Sequence, residues 1–216
     1  MKQYQLLIFD WDGTLMDSVG KIVACIQASS RSLELAVPSE SAVRDIIGLS
    51  MHKALHTLHD NLDDVIYNKM IELYRQQYLE LNDTPSPLFE GAESLIQQLD
   101  QKGYQLAVAT GKARAGLTRV LNETGLGHYF IASRCADEAL SKPNPEMINQ
   151  LLIERHVTPE QCLMIGDSLH DLNMANSAGV DAIGVSYGAH GTSKLSRANP
   201  KAMINAPLDL LNYLGH

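Results

Sequence analysis

Several side chains capable of chemistry stand where apolar runs of this chain stop. "IFDWDGT" (residues 8–14) sets Asp10 and Asp12 two apart, just before a glycine, and "LMIGD" ends on Asp167 with Asp171 four residues on. Carboxylates brought together repel unless a cation offsets them. Oxygen donors with incomplete protein coordination suit Mg²⁺, which keeps waters and binds substrate phosphate. "LAVAT" ends on Thr110 and is followed by Gly111, a hydroxyl and an unhindered N–H suited to a phosphate oxygen. Lys142, in "SKPNP", supplies a compact positive charge. Phosphoryl transfer needs this combination, because its catalysis is mostly positioning and charge stabilisation. A carboxylate can also attack phosphorus to form an aspartyl-phosphate, a role that suits Asp10. Asp12 would then protonate the leaving group and later activate water. Taken singly, a D-x-D is ordinary loop chemistry, "GDSLHD" an N-cap and "SKPNP" a turn. Their joint occurrence, in this order, is the signal.

The elements that must position these groups are legible from periodicity. "YQLLIFD" reads as a buried strand ending at Asp10. Residues 18–82 then read as helical, with Ser18 and Ser39 as N-caps and a stop at Gly48, and "NDTPSP" is a linker. Beyond it, strand and helix alternate: "YQLAVAT", "YFIASR", "CLMIGDS", "VDAIGVSYG" and "KAMINA" are strands separated by helical segments. Pro145 falls in the first turn of one such helix. This alternation predicts an α/β fold with a doubly wound parallel sheet, in which ligands bind at the carboxyl ends of the strands. The expected layout is a core of residues 1–16 and 84–216 with a helical insert, residues 17–83, after the first strand.

Composition narrows the function further. The chain has 216 residues, 45% apolar and 19% charged, with net charge −8, an ordinary globular balance. That acidity argues against a nucleic-acid partner, which requires clustered Lys and Arg. Cys25, Cys135 and Cys162 are widely spaced, form no C-x-x-C pair and read as buried thiols of a reducing cytoplasm. The apolar run Leu6–Phe9 is too short for a signal peptide or a membrane span, so a cytoplasmic location without membrane contact is expected. His52, His56 and His59, at helical spacing, are read as a solvated face rather than a zinc site, and His190 in "YGAHG" as part of a turn.

The motifs together resemble the haloacid dehalogenase (HAD) superfamily of aspartate-nucleophile hydrolases, over the whole chain. "DWDGT" is similar to its first motif, "AVATGK" to its second, "SKPNPE" to its third and "GDSLHD" to its fourth. The insert resembles the C1 cap of phosphoglycolate-phosphatase-like members. The resemblance implies that Asp10 is nucleophile and metal ligand, and that Asp12 is acid/base and binds metal through its backbone carbonyl. It implies Asp167 as a further Mg²⁺ ligand and Asp171 as a helper or water-mediated ligand. Thr110, Gly111 and Lys142 would hold phosphate, and a cap loop of Gly48, Leu49 and Ser50 would help choose the substrate. Many members carry Asn at the position of Gly111, so one side-chain contact is lost here. Lys112 follows, either compensating or standing solvated.

Dehalogenase members generally lack the second aspartate and need no metal, so Asp12 and the Asp167/Asp171 pair argue against that branch. Mutase-like members carry a His and basic cap residues where Ile22, Ile47 and Met51 stand here. The expectation is therefore a Mg²⁺-dependent phosphatase, monomeric or homodimeric, acting on a small phosphorylated metabolite such as phosphoglycolate. The alternatives are a phosphosugar mutase and a receiver-like phospho-accepting module, although a receiver needs no lid of sixty residues.

Overall fold

The first strand, β1 (Leu6–Phe9), lies at the centre of the sheet, and its residues alternate between two apolar clusters. Leu7 and Phe9 pack on one face of the sheet, Leu6 and Ile8 on the other, which is why this strand reads as a continuous apolar run. The computed structural model describes residues 4–60 and 62–216. The first three residues of the expected core and Asn61 of the expected insert lie outside the described residues.

After β1 come, among the described residues, four helices with no strand between them: α1 (Val19–Ser32), α2 (Glu40–Ile46), α3 (Met51–Leu58) and α4 (Asp64–Gln76), which runs on into a π-helical turn, Gln77–Leu81. Ser39 caps α2 by accepting from the Ala42 N–H (3.2 Å), Ser50 caps α3 and Asp63 caps α4. Ser18 occupies the N-cap position of α1, but its side chain makes no cap bond. The hydroxyl instead donates to Asp12 Oδ1 at 2.5 Å, because a buried carboxylate is the stronger acceptor. Ile22, Ile26, Val43, Leu55 and Met70 give these helices an apolar cluster of their own. His59 departs from the expected solvated face. The helix ends at it, and its buried ring turns in to Ser30 Oγ (3.3 Å), while His52 and His56 stay exposed and stacked.

The chain then alternates α5 (Ala92–Gln101), β2 (Gln105–Ala109), α6 (Arg114–Thr124), β3 (Phe130–Arg134), α7 (Glu146–Arg155), β4 (Cys162–Gly166), α8 (Leu169–Ser177) and β5 (Asp181–Val185). It closes with a short α9 (Thr192–Leu195), β6 (Ala202–Ile204) and α10 (Asp209–Leu214). The six strands among the described residues are parallel, in the order β3-β2-β1-β4-β5-β6. Helices α5, α6 and α10 cover one face, and α7, α8 and α9 the other. The single turn α9 was not foreseen, since four residues carry no readable period.

The order reverses on either side of β1, so the crevice at its carboxyl end is where such a sheet binds ligands. Both links between the sheet and the four helices pass this point side by side. Met16 bridges Leu88 in antiparallel fashion, Asp17 N–H donates to the Pro87 carbonyl (2.8 Å) and Phe89 N–H to the Leu15 carbonyl (2.9 Å). No helix among the described residues is long and apolar enough to cross a membrane, and the three cysteines are free and buried.

Candidate active site

Strand register brings the chemistry together. Phe9 pairs with Val108 on β2 and with Ile165 on β4, so the chain leaves all three strands at one level. Asp10 follows β1, Thr110 follows β2, and Asp167 follows β4; all three are buried. Gly13 takes a left-handed φ of 75°, and a β-carbon on it would collide with the Asp167 carboxylate. Only glycine lets the loop after β1 close against that acid.

Carboxylate oxygens of Asp10, Asp167 and Asp171 lie within 4.8 Å of one another. Lys142, fully buried, sits among them, with Nζ 2.9 Å from Asp10 Oδ1 and 2.6 Å from Asp171 Oδ1. Ser168 fixes Asp171, donating to Oδ2 from its N–H (3.1 Å) and hydroxyl (2.6 Å), which leaves Oδ1 to the lysine. This is the capping box of α8, so the same two side chains cap the helix and shape the site. Asp167 is held by the Thr14 hydroxyl on Oδ1 (3.1 Å) and the Ala189 N–H on Oδ2 (2.7 Å).

Asp10 differs from its neighbours. Lys142 faces it as a counter-charge, yet neither carboxylate oxygen takes a well-directed hydrogen bond. Burial pushes its carboxyl up to about 7; Lys142 opposes the shift, and Asp171 and Asp12 add to it. Asp167 is likewise pushed well above the usual carboxylate range, by burial first and then by Asp171 and Asp10. Burial works against the charge on Lys142, but Asp10 and Asp171 outweigh it and hold the ammonium above the usual lysine range. Oxygen donors, two acids displaced toward neutrality and an acid with unsatisfied oxygens fit a hard divalent cation.

The carboxylate of Asp12 is turned to other partners. Its Oδ1 accepts from Ser18 and stands 2.9 Å from Lys112 Nζ. Lys112 is therefore no solvated lysine: it is largely buried, and Asp12 outweighs the burial that would neutralise it. The Thr110 hydroxyl accepts from the Lys112 N–H (3.2 Å), so Thr110 shapes the turn that presents this lysine.

Above Asp10 and Asp12 opens a chamber of about 750 Å³, lined also by Gly48, Leu49, Ser50 and Gly111. A β-carbon on Gly111 would sit 2.6 Å from the Leu49 carbonyl oxygen and 2.7 Å from that of Gly48, so the loop rests directly on this glycine. Ser50 N–H donates to Ser141 Oγ (2.9 Å), next to Lys142. Behind the loop, Asp45 takes Lys194 Nζ at 2.6 Å, and its carbonyl meets the His170 ring at 2.8 Å. His190 lies in the turn after β5 with its ring buried, accepting from the Leu169 N–H at 3.0 Å; burial, then Lys194 and His170, lower it to about 4. It orders the start of α8. Sequence reasoning missed the partners of Thr14, Ser18 and Ser141, because hydroxyls six to 153 residues from the groups they meet carry no spacing signal; Ser168, three residues before Asp171, did carry the spacing of a capping box.

The haloacid dehalogenase-like hydrolase family model matches residues 7–185. A protein named "Probable phosphatase IndB" from Dickeya dadantii is 35% identical over 204 residues, covering 93% of this chain and 89% of that relative. A phosphoglycolate phosphatase of Vibrio cholerae is 30% identical over 208 residues, 93% of this chain and 92% of its own. Among solved structures, a predicted phosphoglycolate phosphatase from Haemophilus somnus superposes with TM-score 0.87 at 25% identity, covering 99% of both chains. A hydrolase from Pseudomonas syringae does so with TM-score 0.88 at 26% identity, over 97% of both.

Proposed function

The chain belongs to the haloacid dehalogenase-like hydrolase family, and on that premise we propose that it is a Mg²⁺-dependent phosphoric monoester hydrolase working through an aspartyl-phosphate on Asp10. The observation that carries the reading is the Asp10 carboxylate: buried at the end of β1, without a well-directed hydrogen bond, and lining the floor of a chamber. An oxygen so placed is free to attack phosphorus. The relatives named phosphatase support the reaction class.

In this reading a phosphate monoester enters with its phosphorus over Asp10. An Asp10 oxygen bonds to phosphorus, the ester P–O bond breaks, and Asp12, which must carry a proton on Oδ2 at this step while Oδ1 keeps Ser18 and Lys112, gives that proton to the departing alcohol oxygen. Asp12 then takes a proton from water, whose oxygen bonds to phosphorus and frees Asp10 and inorganic phosphate. The Thr110 hydroxyl and the Gly111 N–H hold phosphoryl oxygens, and Lys142 offsets the charge of Asp10. Asp10 and Asp167 offer the carboxylates for the cation, with the backbone carbonyl of Asp12, and Asp171, whose oxygens are taken by Ser168 and Lys142, stands beside them as a helper or water-mediated ligand. When bound, the cation supplies positive charge against the gathered acids and the phosphoryl oxygens.

The four-helix insert, residues 17–83, is read as a cap domain over a core of residues 1–16 and 84–216, with Gly48, Leu49 and Ser50 facing the substrate. Buried free thiols suit a cytoplasmic protein. The test is multiple-turnover release of phosphate from p-nitrophenyl phosphate with Mg²⁺, abolished by EDTA. A single stoichiometric phosphorylation without turnover would instead point to a phospho-accepting module.

A further inference from the structure

We propose that the alcohol half of the substrate is an extended apolar group, aliphatic or aromatic, larger than glycolate, and that it lies against the helical wall of the chamber. The inference rests on the phosphomonoester reading and concerns what the enzyme selects.

The argument begins with size. The chamber measures about 750 Å³ and starts at Asp10 and Asp12. Pockets of roughly 300–1,000 Å³ enclose ligands of drug-like size. A two-carbon alcohol would leave most of this one to water, against surfaces that gain nothing from it.

The wall supplied by the helices is hydrocarbon. Ile22 and Ile26 of α1, Ile47 and Leu49 of the loop, and Ile71 and Tyr74 of α4 all line it. Four of the six are buried aliphatics of the helical cluster, and Ile71 and Tyr74 pack against that cluster. Water in contact with such a wall is released when an apolar group takes its place.

The opposite wall carries cations, but they are engaged. Lys112 is spent on Asp12 at 2.9 Å, and Arg119 Nη1 holds both oxygens of Glu123 at 2.8 Å. Both also stand within 5.4 Å of the Tyr78 ring centroid. A carboxylate on the substrate alcohol would have to break these pairs to gain either cation as a partner. Arg75, which also lines the chamber, could meet such a group, but it is exposed, where an ion pair is worth little. Apolar contact is therefore the stronger discriminator in this chamber.

The test is kcat/KM with Mg²⁺ for ethyl, butyl and hexyl phosphate, with phosphoglycolate and p-nitrophenyl phosphate alongside. Burial of each added methylene is expected to raise kcat/KM by roughly two- to fourfold, with hexyl phosphate above phosphoglycolate. A flat or falling series, or phosphoglycolate above every alkyl ester, overturns the proposal. No phosphate released from any ester overturns the phosphatase reading itself, a distinct result. Ile71→Ser, on the half-buried wall, is expected to lower the hexyl value about fivefold more than the ethyl value. Equal losses on both esters count against the apolar wall.

Discussion

Lys142 and Asp171 form an ion pair of 2.6 Å in which neither side chain is exposed. The lysine reaches Asp10 as well, so one ammonium serves two buried acids. Removing one partner of a buried pair costs about 3–5 kcal/mol, because the other charge is left without compensation. Lys142→Met is expected to lose about 3 kcal/mol of unfolding free energy in EDTA. Its kcat should fall by about 10²–10³-fold. Urea titration and phosphate release check both, and a variant of unchanged stability would show that the pair contributes nothing net.

Asp10→Asn separates chemistry from stability. Turnover should drop to background, since an amide cannot form the phosphoryl ester. The metal-free fold should become more stable near pH 8. The Asp10 carboxyl is pushed up to about 7 by burial, so the ionised form is disfavoured in the folded protein, and the neutral amide removes that penalty. A gain on the order of 2 kcal/mol is expected in chemical denaturation.

The same displacement predicts how a divalent cation acts on stability. A folded-state value raised above the unfolded value of about 4 means that the folded protein keeps its proton longer. The associated stabilisation is full below about pH 4 and is lost as pH rises through about 7. The Asp167 shift has the same sign. The cation binds the ionised acids and offsets that loss. Thermal scans should show a melting-temperature gain from Mg²⁺ that grows from acid to neutral pH and then levels off. A gain that shrinks with rising pH would contradict the assignment of Asp10 and Asp167 as ligands.

Gly111→Ala tests the seat of the loop. The new methyl would meet the Leu49 and Gly48 carbonyls at 2.6 and 2.7 Å, and backbone atoms have no rotamer with which to retreat. The loop must lift, loosening the chamber roof. KM is expected to rise about tenfold with a smaller change in kcat, measured on p-nitrophenyl phosphate. An unchanged KM would show that the roof tolerates the displacement.

Much of this architecture was legible because β1 and β4 are short, wholly apolar and end on acids. Asp10, Thr110 and Asp167 could be placed together because a parallel sheet puts all its carboxyl ends on one edge. The partnerships within the site were not legible. Nothing in the spacing shows that Ser18 spends its hydroxyl on Asp12, or that Lys112 pairs with Asp12 while Lys142 pairs with Asp171. Such choices follow from burial and loop path, which depend on contacts distant in sequence. The size of the chamber was hidden for the same reason: Leu49 could be placed on a substrate-facing loop, but nothing in the spacing shows that Ile22 and Ile71 border the same space.

The two links at Met16 and Leu88 enter and leave the helical insert as a paired stem. The insert is therefore a cassette on a narrow stem, yet one keyed to the sheet by Ser18 on Asp12, Ser50 on Ser141 and Asp45 on Lys194. Helices exchanged between Asp17 and Pro87 would have to bring equivalents of those side chains with them.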